Sequence, residues 1–365
     1  NPPLLCASVS PKAQKRISAF PLLAKAKLPL LAALTLATPI DSQSDQSERC
    51  ERAGAALPDT CALSSHRRWV ATVSGARSGA AVGRVWGSAQ CPRPQALAPR
   101  PGPLVTLNKP QGLPVTGKPG ELTLVSVLPE LSQCLGLGER ELQVVRASGK
   151  ETSGLVLLSS CPQTASRLQK FFTHSQRARK PTATYCAVTD GIPAASEGKI
   201  QAALKMEHTD GASLVVPVKS PSRKDFLKGV KWTLSHFRVL ASGSGCALVQ
   251  LQPLTAFPSQ LQVHMVLQLC PVLGDHKYSA YVGTVLGQRF LLPAENTKPQ
   301  RQVLDEALLS RLHLTPAQAA QLPLHIHLHR LHLPGTRPRD APIELLAPLP
   351  SYFSRTLQCL GLQYQ

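Results

Sequence analysis

Four histidines in one short stretch, His325, His327, His329 and His332, are spaced as residues that could do chemistry together. On a strand the first three, at i, i+2 and i+4, share one face, which is one way imidazoles converge on a metal. No Asp, Glu or Cys lies among them, so a strand of buried histidines outweighs a metal centre. Two basic clusters point to phosphate instead. Arg177, Arg179 and Lys180 form one, and Arg223, Lys224, Lys228 and Lys231 form the other. Both lie in loop-like sequence, where they either contact phosphates or face solvent. Ten cysteines are scattered without a C-x-x-C pair, several in apolar company such as Tyr185-Cys186-Ala187 and Gly245-Cys246-Ala247. They read as reduced core thiols of an intracellular protein rather than as a disulfide or metal framework.

The charge balance favours phosphate. Lys and Arg number 40 against 21 Asp and Glu, a net of +19. Residues 1–100 hold 13 basic and 5 acidic side chains, which leaves +11 for residues 101–365. Clustered cations neutralise phosphates and release counterions, so a basic body suits an RNA partner, although an acidic protein fits the same charge.

The elements that must position these groups begin late in the chain. Its 365 residues leave room for about two domains of ~150 residues. Residues 1–40 carry Lys12, Lys15, Arg16, Lys25 and Lys27 with no acid, the composition of an organelle-targeting segment, with a secretory signal as the rival. The apolar run from Leu28 to Ile40 is broken by Pro29 and Pro39 and is shorter than the ~20 residues a membrane helix needs. Residues 41–103 are dominated by Ser, Ala, Gly, Pro and Arg without periodicity and read as a disordered linker.

From Leu104 the pattern changes. Leu104 to Leu107, Gln143 to Val145, Leu155 to Leu158, Thr184 to Thr189, Ser213 to Val218, Ser235 to Leu240 and Ala247 to Leu251 read as strands. Ala165, Leu168 and Phe172 at helical spacing predict a helix over 164–172, with Arg167 and Lys170 outward. Gln260 to Leu269 predicts a buried helix, and Gln300 to Gln321 an amphipathic one with Val303, Leu304, Ala307, Leu308 and Leu312 on its apolar side, Thr315-Pro316 starting another helical turn. This order of elements predicts an α+β fold with a mostly antiparallel sheet.

Lys150-Glu151-Thr152-Ser153-Gly154, followed by Leu155-Val156-Leu157-Leu158, resembles the catalytic motif H-R-L-D-x-x-T-S-G-L of RluA-type RNA pseudouridine synthases. Three further segments are similar to that family in the same order. Leu107-Asn108-Lys109-Pro110-Gln111-Gly112-Leu113-Pro114-Val115 resembles its N/D-K-P-x-G-L-x-V opening. Thr184 to Gly191 resembles its K-x-Y-x-A-x-V-x-G strand, with Ala183 where the Lys belongs, and Gly274-Asp275-His276-Lys277-Tyr278 resembles G-D-x-x-Y. Leu331 to Pro350 follows the closing strand and its A-P-L-P.

The resemblance implies a pseudouridine synthase domain over 104–365, with flanking helices on a central mixed, mostly antiparallel sheet and an RNA-binding cleft across it. The implied activity is isomerisation of uridine to pseudouridine in RNA, without cofactor or metal. Its carboxylate nucleophile belongs at position 149, where this chain has Gly149, and Arg146-Ala147-Ser148 replace H-R-L. The family's G-R-T-H-Q-I-R-V-H becomes Ala256-Phe257-Pro258-Ser259-Gln260-Leu261-Gln262-Val263-His264, without either Arg. One of those arginines pairs with the catalytic Asp in the family, so its loss matches the missing carboxylate; either alone would leave a buried charge unpaired at about 3–5 kcal/mol. Glu151 is the nearest substitute carboxylate.

Carried over by position, the catalytic pair is Gly149 and Tyr185. Lys109, Thr152, Ser153, Gly154, Gln260 and His264 are the implied substrate contacts, and Arg177, Arg179 and Lys180 the RNA-binding surface. Asp275 reads as a turn cap. The resemblance also implies the mitochondrial matrix, with mitochondrial mRNA or rRNA, or a mitochondrial ribonucleoprotein, as partner. It implies no membrane span and leaves the oligomeric state open. The alternative is an inactive relative that binds RNA without chemistry.

Overall fold

The structure is a computed structural model that describes residues 35–36, 39–40, 103–137, 140–209, 212–293, 297–335 and 341–363. The expected targeting segment therefore lies outside the described residues except at 35–36 and 39–40, and the expected linker except at Pro103.

In chain order the elements are β1 (Thr35–Leu36), β2 (Pro39–Ile40), β3 (Leu104–Lys109), α1 (Leu124–Cys134), β4 (Gln143–Arg146), β5 (Ser153–Ser159), α2 (Pro162–Arg177), β6 (Ala183–Asp190), β7 (Glu197–Thr209) and β8 (Ala212–Val218). There follow α3 (Arg223–Leu227), β9 (Lys231–Gly243), β10 (Cys246–Pro253), α4 (Gln260–Leu267), β11 (Val282–Val285), β12 (Gln288–Leu291), α5 (Glu306–Leu312), α6 (Pro316–Ala319), β13 (Ile326–Leu333), β14 (Ile343–Leu346) and α7 (Ser351–Cys359). One mixed sheet runs β1-β3-β5-β13-β6-β10-β9-β7-β8, with β4 on β5, β14 on β13 and β2 on β14. Its pairings are antiparallel except β13 on β5, which is parallel over two residues, His327 and Leu328 against Ser153 and Gly154. This is the α+β architecture the element order predicts. Among the described residues no helix is long and apolar enough to cross a membrane.

The short parallel contact makes a fork. Beyond it β5 pairs with β4 at Leu157 and Leu158, while β13 pairs with β14 from Arg330 to Leu333. Every residue of β5 is buried, as its unbroken apolar run requires of a strand covered on both faces. Val156 and Leu158 pack with α1, whereas Leu155 and Leu157 pack with Leu168 and Phe172 of α2. α2 buries Ala165, Leu168, Phe172 and Ser175, which is the helical stripe read from sequence, and starts on Pro162, whose missing N–H is no loss there. At the other end of the sheet α4 packs Met265 onto Val249 and Leu251, while α5 and α7 pack Leu308 and Phe353 against Cys186 and Leu248.

The amphipathic helix expected within 300–321 is shorter, α5 alone, and the further turn expected to start at Thr315-Pro316 is α6, capped by Thr315. Asp305 caps α5 by accepting from Leu308 N at 2.6 Å, and His313 in the left-handed region (φ 54°) stops it, so Val303 precedes the helix and is 87% exposed. The core thiols are Cys186, Cys246 and Cys270, while Cys134 is exposed.

Candidate functional site

The loop from Ala147 to Thr152 joins β4 to β5 at the fork. Ser148 Oγ donates to Thr152 O at 3.1 Å, and Thr152 N donates to Gly149 O at 3.2 Å, closing a tight turn. Lys109 fixes that turn to the one after β3. The Lys109 side chain is 1% exposed, and its Nζ donates to Pro110 O at 3.1 Å, Leu113 O at 3.0 Å and Lys150 O at 3.3 Å. Burial pushes its pKa down to about 8, with the Glu151 carboxylate opposing the shift. Gly112 N donates to Lys150 O at 2.8 Å, and Gln111 Nε2 to Glu151 Oε2 at 3.1 Å. Lys109 is thus spent on backbone carbonyls inside the protein.

Gly149 itself is exposed, and a Cβ built on it meets no heavy atom within 4 Å. The loop would take a side chain without moving. A side chain at this position would face solvent. Gly154 is the reverse case. It adopts φ +114°, and a Cβ there would collide with the Leu328 carbonyl and stand 2.6 Å from Leu328 N, so only glycine permits the parallel contact.

Gly154 belongs to a cross-strand row. Lys109, Gly154, Leu328, Tyr185, Leu251 and Phe237 are successive register partners across β3, β5, β13, β6, β10 and β9. Tyr185 therefore stands two strand spacings, about 10 Å, from Gly154, half-buried where the α2-side and α4-side clusters meet.

The remaining residues carried over by position face inward. Ser153 Oγ donates to His327 Nδ1 at 2.9 Å, and His327 Nε2 donates to Ala347 O at 3.3 Å. Gln260, 4% exposed, donates to Leu234 O at 3.1 Å and Ser235 Oγ at 2.9 Å and accepts from Thr255 Oγ1 at 3.0 Å. His264 Nε2 donates to Thr233 Oγ1 at 2.8 Å, since that hydroxyl gives its proton to Ala202 O. Burial pushes the pKa values of His264, His325 and His327 down to about 4, so these imidazoles are neutral. His325 donates from Nδ1 to Pro323 O at 2.7 Å and accepts at Nε2 from Thr356 Oγ1 at 2.9 Å; His329 Nδ1 donates to Ala347 O at 2.8 Å. These bonds tie β13 to α7 and to the segment after β14.

Phe257 and Gln262 have different surroundings. Phe257 packs with Val215, Val263 and Tyr278 in an apolar cluster. Gln262 lies beside Asp275, a residue 1% exposed whose Oδ1 caps the turn by accepting from Lys277 N and Tyr278 N, each at 3.0 Å. Burial raises the Asp275 pKa, and those two amides and the Gln262 side chain only partly oppose it. The carboxylate neighbouring position 262 is therefore Asp275, which the sequence alone did not connect to it. Arg177, Arg179 and Lys180 are exposed at the C-terminus of α2, where cations suit the helix dipole.

A family model described as RNA pseudouridylate synthase matches residues 103–266. The chain belongs to the RNA pseudouridylate synthase family. Over 270 residues it is 85% identical to the human mitochondrial mRNA pseudouridine synthase RPUSD3, covering 74% of this chain and 77% of that one, and 75% identical to the mouse protein of that name. The solved structure of human RNA pseudouridylate synthase domain containing 4 is similar with a TM-score of 0.55 and 30% identity, over 71% of this chain and 90% of that chain.

Proposed function

We propose that this chain acts on mitochondrial messenger RNA as a pseudouridine synthase, in the mitochondrial matrix, with residues 104–365 as the synthase domain and 1–40 as its targeting segment. Mitochondrial rRNA or a mitochondrial ribonucleoprotein is the alternative partner. The observation that carries this reading is the retained frame. The loop at 147–152 is clamped by Lys109 and opens onto the strand row that holds Tyr185, and its one carboxylate, Glu151, is accessible. Both basic clusters stand at one end of the sheet, because β6 and β9 each run antiparallel to β10 and so start together. Such a band of exposed cations would hold an RNA backbone while a uridine reaches the loop.

A second reading, RNA binding without isomerisation, rests on Gly149, which offers no nucleophile where the family's attack begins, and on Glu151 being held by Gln111. Pseudouridine formation by the unmodified chain, Glu151→Gln and Gly149→Asp on mitochondrial RNA decides between them. Turnover abolished by Glu151→Gln establishes the first reading with Glu151 as its carboxylate. Tight RNA binding with no turnover in the unmodified chain establishes the second. Gly149→Asp is expected to fold normally yet gain no activity alone, because Phe257 and Gln262 supply no cation.

A further inference from the structure

The second basic cluster is built around aromatic rings. α3 is one capped turn, in which Ser222 Oγ accepts from Asp225 N at 3.3 Å and Asp225 accepts from Ser222 N at 2.8 Å and Ser222 Oγ at 2.7 Å. That turn holds Phe226 outward at 38% exposure, and the start of β9 holds Trp232 at 50%. Their ring centroids are 6.4 Å apart with planes tilted by 35°. Arg223, Lys224, Lys228 and Lys231 are all exposed around them, while Asp225, the single acid between Lys219 and Trp232, is engaged in the cap. Trp232 also lines a groove of about 740 Å³ with Lys205 and Lys219 on its wall and Val266, Leu267 and Tyr281 among its apolar residues.

Aromatic faces left in water beside lysines are the elements that hold single strands: bases stack on the rings, and cations track the backbone. The register sets the path an RNA strand would take. Trp232 precedes Phe237, the register partner of Leu251 and through it of Tyr185, by five residues, an odd step that turns Trp232 to the sheet face opposite Tyr185. It lies about 20 Å from Tyr185, at the same end of the sheet as Arg177, Arg179 and Lys180, so a bound strand would pass around that end.

We propose that α3 and the start of β9 form a stacking platform for single-stranded RNA, taking unpaired bases on Trp232 and Phe226 and phosphates on Arg223, Lys224, Lys228 and Lys231. The platform rests on the RNA-binding reading above and adds a site to it: a stretch of the substrate a few nucleotides from the target uridine is bound unpaired.

The test uses the full chain and a short fluorescein-labelled oligouridylate, read by anisotropy over a range of salt. The double change Trp232→Ala with Phe226→Ala is expected to weaken binding by about 5- to 150-fold per stacked base lost. Trp232→Phe should keep most of the affinity and Trp232→Leu should not, since leucine fills space without a π face. Changing the four basic residues to Gln should flatten the slope of log affinity on log salt by roughly 0.7 per phosphate contact. If the aromatic variants bind as the unmodified chain does while the Arg177, Arg179 and Lys180 triple change weakens binding, the platform is overturned and the RNA reading stands. Trp232→Leu matching Trp232→Phe also overturns it. If the unmodified chain binds no RNA but captures polyglutamate through Trp232, both fall, and this face docks an acidic protein.

Discussion

Replacing Lys109 by methionine keeps the apolar stem and removes the buried ammonium, and the outcome follows from the three carbonyls it serves. Lys150 O keeps the Gly112 amide, so the donors lost without replacement are those to Pro110 O and Leu113 O. An acceptor left unsatisfied costs about 1–3 kcal/mol when buried, the full amount for Leu113 O and at most that for part-buried Pro110 O. Against this, the variant no longer buries a charge; the fall in pKa from 10.5 to about 8 corresponds to about 3 kcal/mol. The net expectation near neutral pH is a loss of up to about 3 kcal/mol in a urea titration. The pH dependence is sharper. Because the folded-state pKa lies below the unfolded one, the unfolded chain binds the extra proton between them, and the native state gains stability as pH rises through that window. The advantage of the unmodified protein over Lys109→Met should therefore widen by about 3 kcal/mol between pH of about 8 and 10.5. The same variant should free the loop, so that trypsin cleaves after the exposed Lys150 faster than in the parent. A difference that is flat or narrows over that range refutes the buried ammonium, and unchanged cleavage at Lys150 refutes the clamp.

Gly154→Ala should be destabilised by about 2–6 kcal/mol, from a left-handed φ and a clash with Leu328 backbone that cannot relax, whereas Gly149→Ala should stay within about 0.5 kcal/mol; thermal unfolding of the pair checks the contrast, and equal transitions would contradict the fork geometry. His264, His325 and His327 have folded-state pKa values pushed to about 4, so the unfolded chain binds more protons between about 4 and 6.5 and stability is lost as pH falls through that range, with buried Asp275 acting in the opposite sense. Urea midpoints at pH of about 7, 6 and 5 should decline, and a flat series would mean these imidazoles are not buried neutral.

The fold class and the altered motif were legible from residues alone. Four motifs in order fixed the architecture, the stripe of Ala165, Leu168 and Phe172 fixed α2, and the absence of a carboxylate at Gly149 is covalent fact that no folding can change. β7 escaped because its Ile200, Ala202, Leu204 and Met206 alternate with Lys199, Gln201, Ala203 and Lys205, and Ala and Lys are weak strand formers that only pairing with β8 and β9 holds extended. α7 escaped because Pro350 reads as an end, whereas proline at an N-cap precedes a helix as readily. A signal for the platform was present in the alternation of cations with Phe226 and Trp232, but exposure of those rings is a tertiary property. Residue type says what Lys109, Gln260 and His264 can bond; which atoms they reach depends on the elements folded against them. Those elements come from far along the chain: Lys109 meets Lys150, and Gln260 meets Leu234 and Ser235. Each of these polar groups turns inward because backbone carbonyls and hydroxyls buried by the same packing need its protons, and that demand arises only once the sheet has closed around them.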